Sequence, residues 1–349
     1  MTGGEPIFDA RDPQWIAHRW DRPAGAIRFA HVPRARHAAT PFLTDDGIGD
    51  APVAQALVAD ALNALAPPPH APTQAGPAGG LHFLLHSAFC ASTLLCRAFD
   101  APGLSMGLSE PVILNDIVGF RRRRECDARA SGAMFDTALA LLARPWSGGE
   151  AVVVKPSNII NPVAAGLLTL RADARAILLY APLPVFLASV ARKGMWCRLW
   201  VRELLDGLIA DGAVQLGFAP TDYFRLTDLQ CAAVGWLAQH QLFHQMAARF
   251  GAQRVRSLNS EVFLASPVDA MAAAAQHFAL AGDGAALGHG PAFAMHSKFG
   301  TQFSTQDRLD QQSAAAAVHG EEVEKVAIWA QAVADGAGIG MALPNPLIA

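Results

Sequence analysis

The 349-residue chain has few charges, and its cysteines form no pattern that would cross-link it or bind a metal. Only 16% of its residues are charged, whereas about 25% is usual for soluble domains. The net charge is −3. Binding to a nucleic-acid backbone depends on clustered cations, so this balance argues against a nucleic-acid partner. The five cysteines include no Cys-x-x-Cys pair. We therefore expect reduced thiols, no disulfide framework and no bound metal.

The sequence also lacks an unbroken apolar segment of membrane-spanning length, which would need about 20 residues. The apolar stretch at residues 176–191 is interrupted by Pro182 and Pro184. The first residues, MTGGEPIFDARDP, contain neither a basic segment nor an apolar core and are unlike a secretory signal. We therefore expect a cytoplasmic protein without a membrane partner.

Two common site motifs are missing. There is no Walker A motif, which argues against ordinary ATP or GTP hydrolysis. His240 and His244 are spaced one helical turn apart, but they lack the intervening glutamate of a zinc-protease motif and no third ligand is evident. We expect a structural role for both histidines.

What the chain does contain is a series of apolar strands that alternate with helix-like segments. Predicted strands lie at residues 81–85, 148–158 and 176–182, and residues 254–278 supply a fourth strand, a loop and a helix. Other predicted helices include residues 133–143 and 227–250. This alternation is typical of an α/β fold, with a parallel sheet covered by helices on both faces. We expect residues 1–80 to be an N-terminal extension with short strands, a helical patch at 51–66 and a Pro/Gly-rich linker at 66–80. Residues 81–335 form the main domain, and residues 336–349 a C-terminal tail.

The most informative segment is LHFLLHSAFCASTLLCRAFD, residues 81–100. It predicts a buried strand, a loop of small residues and a helix that begins at Ser92 and Thr93. Backbone N–H groups at the start of a helix lack intrahelical partners, and the helix dipole favours negative charge there. The segment therefore predicts a cradle for phosphate or sulfate, although Ser92 and Thr93 would also suit ordinary helix caps.

Three further side chains are candidates for chemistry near this loop. Glu110 would be a general base, or Glu110-Pro111 would simply start a helix. Lys155 ends an apolar strand, where it would stabilise developing negative charge or extend to solvent. His86 ends the strand before the loop, where it would donate a proton, act as a base or hydrogen-bond within the loop.

Taken in order over about residues 80–335, these segments resemble the P-loop sulfotransferase family. FCASTLL at 89–95 is similar to the family's R-S-G-S/T-T-L-L phosphosulfate loop, and YAPLPVFLASVARKG at 180–194 is similar to its 3′-phosphate segment. Residues 254–280 resemble its closing strand and helix, and HSKFG at 296–300 resembles its lysine-bearing C-terminal loop. The resemblance implies a P-loop NTPase-like, three-layer α/β/α fold with a mostly parallel sheet.

The resemblance also implies a co-substrate, 3′-phosphoadenosine 5′-phosphosulfate, and roles for individual residues. Glu110, His86 and Lys155 would be catalytic. The donor would be bound by Ser87, Cys90, Ser92, Thr93, Ser189, Arg192 and Lys298. The chain differs from the family's pattern in having Phe89 and Ala91 where the family has a basic residue and a glycine, and a neutral Tyr180 or Ala181 where it has an arginine.

Three functions follow from this pattern. The first is transfer of a sulfuryl group to a hydroxyl or amine of a small-molecule or peptide acceptor. The second is a catalytically inactive protein of the same fold that binds a nucleotide, a peptide or a partner protein, which the changes at Phe89 and Ala91 favour. The third is an enzyme of altered donor chemistry that uses His86 and Cys90.

Overall fold

The structure is a computed structural model that describes residues 6–66, 79–294 and 305–348, and it contains two sheets. The N-terminal part comprises β1 Trp15–Asp21, β2 Ala26–His31, α1 Arg34–Ala39, α2 Asp45–Ile48, β3 Val53–Leu57 and α3 Val58–Leu65. The central part comprises β4 Leu81–His86, α4 Ser92–Ala98, β5 Ser105–Ser109, α5 Ile113–Arg122, α6 Ala128–Leu142, β6 Ala151–Lys155, a 3-10 helix η1 Asn158–Val163, α7 Ala164–Leu170, β7 Ala176–Tyr180, α8 Leu183–Arg192, α9 Met195–Ala210, a 3-10 turn at Asp222–Arg225, α10 Asp228–Arg254 and β8 Val255–Asn259. After β8 follow α11 Ser260–Ala265, α12 Pro267–His277, α13 Gly284–Leu287, a 3-10 turn at Pro291–Ala294 and α14 Thr305–Ala337.

The central sheet is parallel, with the strand order β5-β6-β4-β7-β8. All residues of β4, β5, β6 and β7 are buried, as expected of a sheet with helices on both faces. The predicted α/β class is confirmed. No helix in the described part of the chain is both long enough and apolar enough to cross a membrane.

The path of the chain through this sheet places the end of β4 at a special position. From β4 the chain moves outward to β5, returns to β6, and then crosses to β7 and β8 on the other side of β4. Because parallel crossovers are right-handed, α4 covers one face and the connections after β5, β6 and β7 cover the other. Ligands bind in such sheets where neighbouring connections diverge, beyond the carboxyl ends of the strands. The loop between β4 and α4 lies at this point.

The N-terminal residues form an antiparallel sheet whose core is continuous with that of the central part. The short strand expected in GAIRFAHVPR is present as β2. The helix predicted for residues 51–66 is wrong at 53–57, which form the edge strand β3. Pairing with β2 imposes a two-residue period there, so that Val53, Gln55 and Leu57 are exposed. The predicted linker at 66–80 lies mostly outside the described residues.

The segment after α14 lies against the outer edge of the central sheet. Ser257 of β8 donates its backbone N–H to the carbonyl of Asn345 at 2.9 Å and accepts from the N–H of Leu347 at 2.7 Å. Leu343 and Leu347 are buried. The residues expected to be a tail are therefore packed on β8.

We predict that β5 does not tolerate a side chain at Gly107. A Cβ there would lie 2.3 Å from the carbonyl oxygen of Cys96 in α4, so Gly107→Ala should lower the free energy of unfolding by about 1–3 kcal/mol. Gly132 in α6 is a matched control, because nothing lies within 4 Å of its Cβ position. Gly132→Ala should raise the free energy of unfolding by about 0.5–1 kcal/mol. Urea unfolding of both variants measures the two effects, and equal effects would contradict this packing.

A second prediction concerns His82, which lies near the start of β4. Its ring stacks on Phe278 at 4.7 Å, and burial lowers its pKa from 6.5 to about 4. Because the folded pKa lies below the unfolded one, the unfolded chain binds the proton first as the pH falls. Stability is therefore complete above about pH 6.5 and is lost towards pH 4, by about 3 kcal/mol for this residue.

His82→Leu should therefore make the free energy of unfolding less dependent on pH between 7 and 4.5. His240 and His277, whose pKa values burial lowers to about 3 and about 4, will keep part of the dependence in the variant. Urea unfolding at both pH values provides the comparison. The explanation is wrong if wild type and variant lose stability in parallel.

Candidate functional site

Polar side chains at the carboxyl ends of three neighbouring strands meet at one edge of the central sheet. The Nζ atom of Lys155, which ends β6, lies 2.5 Å from Oε1 of Glu110, which follows β5. Lys155 also donates to the hydroxyl of Ser109 at 3.4 Å. Nε2 of His86, which ends β4, lies 3.9 Å from the same oxygen of Glu110. The three residues with predicted catalytic roles thus form one cluster, and the roles themselves stay predictions.

Within this cluster only Glu110 extends to the surface. The side chain of Lys155 is 0% exposed and that of Glu110 is 20% exposed. The ring of Phe42 covers the ammonium of Lys155 at 5.0 Å. The neighbouring Leu43 is held over the cluster by its N–H, which donates to the carbonyl of Ser109 at 2.8 Å. Glu110 and Phe42 therefore separate the ammonium of Lys155 from solvent.

The β4–α4 loop (residues 86–92) has an unusual backbone. Ala88, Phe89 and Ala91 have φ angles of 71°, 50° and 61°, in the left-handed region that glycine usually occupies. Glu110, across the site, has a φ of 52°. Such residues cost about 1–3 kcal/mol each and persist only where the surrounding structure imposes them, often at binding sites. Successive N–H groups in turns of this kind form concavities that bind anions.

The residues at the start of α4 lie as predicted, but they do not cap the helix. The helix begins at Ser92, and its N-cap is Ala91, which makes no side-chain capping bond. Ser92 and Thr93 are both buried. The alternative reading of these two residues as ordinary caps is therefore wrong, because the left-handed Ala91 occupies that position.

Two other loop residues differ in what they can contribute. The hydroxyl of Ser87 is fully buried and makes no hydrogen bond within the described part of the chain. A group of this kind needs a partner, such as a water or a ligand oxygen. The thiol of Cys90 lies 3.5 Å from the carbonyl of Leu179, and burial raises its pKa to about 11. Cys90 is therefore a neutral thiol near pH 7, which is unfavourable for it as a nucleophile.

The position of its ring proton makes His86 a donor towards the site. Its Nδ1 atom accepts a hydrogen bond from the N–H of Ala88 at 3.1 Å. In the neutral imidazole the proton is then on Nε2, the atom nearer Glu110. Of the roles considered for His86, this geometry favours proton donation.

The end of α8 reaches the β4–α4 loop. The ammonium of Lys193 lies 5.4 Å from the centre of the Phe89 ring, which also packs against Phe186 and Trp200. Lys193 thus places positive charge beside Phe89 in this loop. Ser189 is one turn before Lys193 and shares its face of the helix. Arg192 is the exposed last residue of α8, and Lys298 lies outside the described residues.

A buried network of side-chain amides lies behind the loop. Nδ2 of Asn161 in η1 donates to the carbonyl of His86 at 3.0 Å and to Oε1 of Gln239 at 2.8 Å. The same Gln239 oxygen accepts from Nδ2 of Asn158 at 3.2 Å. Sequence reasoning missed this network as well as Phe42, because single amides and rings in otherwise unremarkable segments carry no motif.

The described residues hold no candidate metal centre. Among residues 6–66, 79–294 and 305–348, no group of three or more His, Cys, Asp or Glu side chains is arranged to bind a metal. His240 stacks on Trp236 at 3.5 Å.

A cavity of about 10 Å³, enough for a single water, borders Ser109, His37 and Asp100. A groove of about 350 Å³ lies apart, between residues 7–11 and α3.

Comparisons with known proteins give a structural likeness at low sequence identity. No protein-family model matches the chain, and no curated protein matches it. Among solved structures, the chain is similar to the sulfotransferase domain from the curacin biosynthetic pathway. The two share 14% sequence identity with a TM-score of 0.41, over 76% of this chain and 99% of that chain.

We predict that Lys155 and Glu110 are energetically coupled. Glu110→Gln leaves a fully buried ammonium without its counter-charge and should lower the free energy of unfolding by about 3 kcal/mol. Lys155→Met should cost less, because the remaining carboxylate is partly exposed. The double variant should lose about 1–3 kcal/mol less than the sum of the single losses. Urea unfolding followed by tryptophan fluorescence measures this cycle, and strictly additive losses would show that the pair does not interact.

Proposed function

We propose that this chain is a sulfotransferase-like enzyme that transfers a sulfuryl group from 3′-phosphoadenosine 5′-phosphosulfate to a hydroxyl or amine acceptor. The observation that carries the proposal is the meeting of a strained, glycine-like loop and a Glu–Lys–His cluster where the connections of a parallel sheet diverge. Sheets of this kind bind ligands at that position. The order of the sequence segments that resemble P-loop sulfotransferases agrees with it.

The residues around the loop suit an anionic donor. The backbone N–H groups of residues 90–92, the hydroxyl of Ser87 and the hydroxyls of Ser92 and Thr93 would hold the 5′-phosphosulfate. Ser189, Arg192 and Lys193 at the end of α8 would hold the 3′-phosphate. The fully buried hydroxyl of Ser87 supports this assignment, because it is a donor beside the loop that has no partner among the described residues.

The chemistry would be positioning, charge stabilisation and one proton transfer. The donor supplies the sulfuryl group and a phosphate leaving group, which departs as adenosine 3′,5′-bisphosphate when the acceptor oxygen or nitrogen forms its bond to sulfur. Glu110 would take the acceptor proton on Oε2, because its Oε1 is occupied by Lys155. His86 would donate from Nε2 to the developing negative charge. Lys155 would keep the Glu110 carboxylate oriented.

One observation favours a second function, that of a nucleotide-binding module without catalysis. Lys155 is completely buried and engaged by Glu110, so its charge does not reach a ligand directly. At the mouth of the loop, Phe89 stands where a cation would contact the donor. Positioning alone would then remain, with little stabilisation of the transferred group.

Calorimetry with adenosine 3′,5′-bisphosphate tests nucleotide binding, which both functions require. We expect micromolar binding, which Lys193→Gln should weaken about fivefold because one partly screened positive charge is lost. Arg225→Gln is the control, because Arg225 is an 82% exposed cation in a separate 3-10 turn. No binding up to millimolar concentration would overturn the proposal.

The same preparations separate enzyme from binding module. With the phosphosulfate donor and water as the acceptor, the enzyme should release sulfate slowly, and Glu110→Gln should reduce this release by about 10²-fold or more. The bisphosphate affinity of that variant should be nearly unchanged. Tight binding without sulfate release above the rate in buffer would favour the module.

A further inference from the structure

The strained backbone of the β4–α4 loop must be stabilised by contacts with neighbouring residues. Ala88, Phe89 and Ala91 have left-handed backbone angles although none of them is glycine. Such angles revert to ordinary values unless neighbouring residues prevent it. Within the loop, the N–H of Ala88 donates to the ring Nδ1 of His86. Beyond it, the N–H of Ser87 donates to the carbonyl of Leu179 at 3.2 Å. The carbonyl of His86, where the loop begins, accepts from Asn161.

The bond from Asn161 is itself directed by a second amide. Both N–H bonds of its Nδ2 are used, one to His86 and one to Oε1 of Gln239. Gln239 is fixed in turn, because its Nε2 donates to the carbonyl of Gly235 one turn earlier in α10 at 3.2 Å. Asn161 is 2% exposed and Gln239 is 0% exposed. Oδ1 of Asn161 has no hydrogen-bond partner among the described residues. Turning this amide over would place that oxygen against the oxygens of His86 and Gln239, so the network favours one arrangement.

We propose that Asn161 is a positioning residue that holds the β4–α4 loop in its left-handed conformation, with Gln239 setting the direction of its amide. The network connects the long helix α10 through η1 to the first carbonyl of the loop. It thereby substitutes rigid support for the glycine that would make this backbone easy to adopt. The effect on ligand affinity rests on the proposed function, whereas the effect on the loop itself does not.

Asn158 provides a matched control for Asn161. Both lie in η1, both are buried, and both donate to the same oxygen of Gln239. Only Asn161 also bonds to the loop. Replacing either by leucine, which has nearly the same shape, removes one bond to Gln239, so that the two variants differ chiefly in the contact with His86.

The experiment compares Asn161→Leu, Asn158→Leu and the wild-type chain by three measurements. Thermal unfolding should show a loss of about 2–4 °C in Asn158→Leu and a larger loss in Asn161→Leu, which also gives up the bond to His86. Amide hydrogen exchange of peptides covering residues 86–92, in the chain without ligand, should rise about tenfold in Asn161→Leu only. The affinity for adenosine 3′,5′-bisphosphate should fall about tenfold in Asn161→Leu only.

The outcomes distinguish the positioning role of Asn161 from the proposed function. Equal exchange of residues 86–92 in the two variants overturns the positioning role, whatever the binding result. Increased exchange in Asn161→Leu, in a chain that does not bind the bisphosphate, supports the positioning role and overturns the proposed function. If Asn161→Leu does not fold, Asn161→Ser, which keeps a small donor, is compared with Asn158→Ser by the same criteria.

Discussion

The ammonium of Lys155 has no access to water, and much of the site depends on this one constraint. A buried charge must be paired and hydrogen-bonded or it is expelled from the structure. Here Glu110 supplies the counter-charge, Ser109 a further acceptor and Phe42 a ring face. These partners come from the end of β5 and from the N-terminal part of the chain. The pair therefore ties strands β5 and β6 together at their carboxyl ends and explains why the residues before β4 are packed over the site.

The β4–α4 loop has left-handed backbone angles at residues that are not glycine. Ala91 corresponds to the glycine of the phosphosulfate loop that residues 89–95 resemble. Its φ angle nevertheless lies in the region that glycine favours. An alanine there raises the energy of the folded loop, but it also leaves the unfolded chain fewer conformations than glycine would. The conformation is then maintained by contacts with β7, η1 and α10, and not by the intrinsic preference of the loop sequence.

Continuous apolar runs made β4, β6 and β7 predictable, and the parallel arrangement followed from their alternation with helices. Because the carboxyl ends of parallel strands share one edge, the convergence of His86 and Lys155 was foreseeable in outline. β5 was not, because SMGLS is short and its burial comes entirely from neighbours. The direct pairing of Lys155 with Glu110 and the support from Asn161 depend on side-chain directions across distant segments, which no single sequence pattern encodes.

The segment packed beside β8 has a consequence for association between molecules. An outer strand with free N–H and C=O groups can pair with another chain and start aggregation. On β8, both backbone groups of Ser257 are already bonded to Asn345 and Leu347. Pro346, which lies between these two, has no N–H to offer a further strand. At this point the sheet is closed by a short stretch of its own chain that cannot template a continuation, which protects an apolar parallel sheet from growing into fibres.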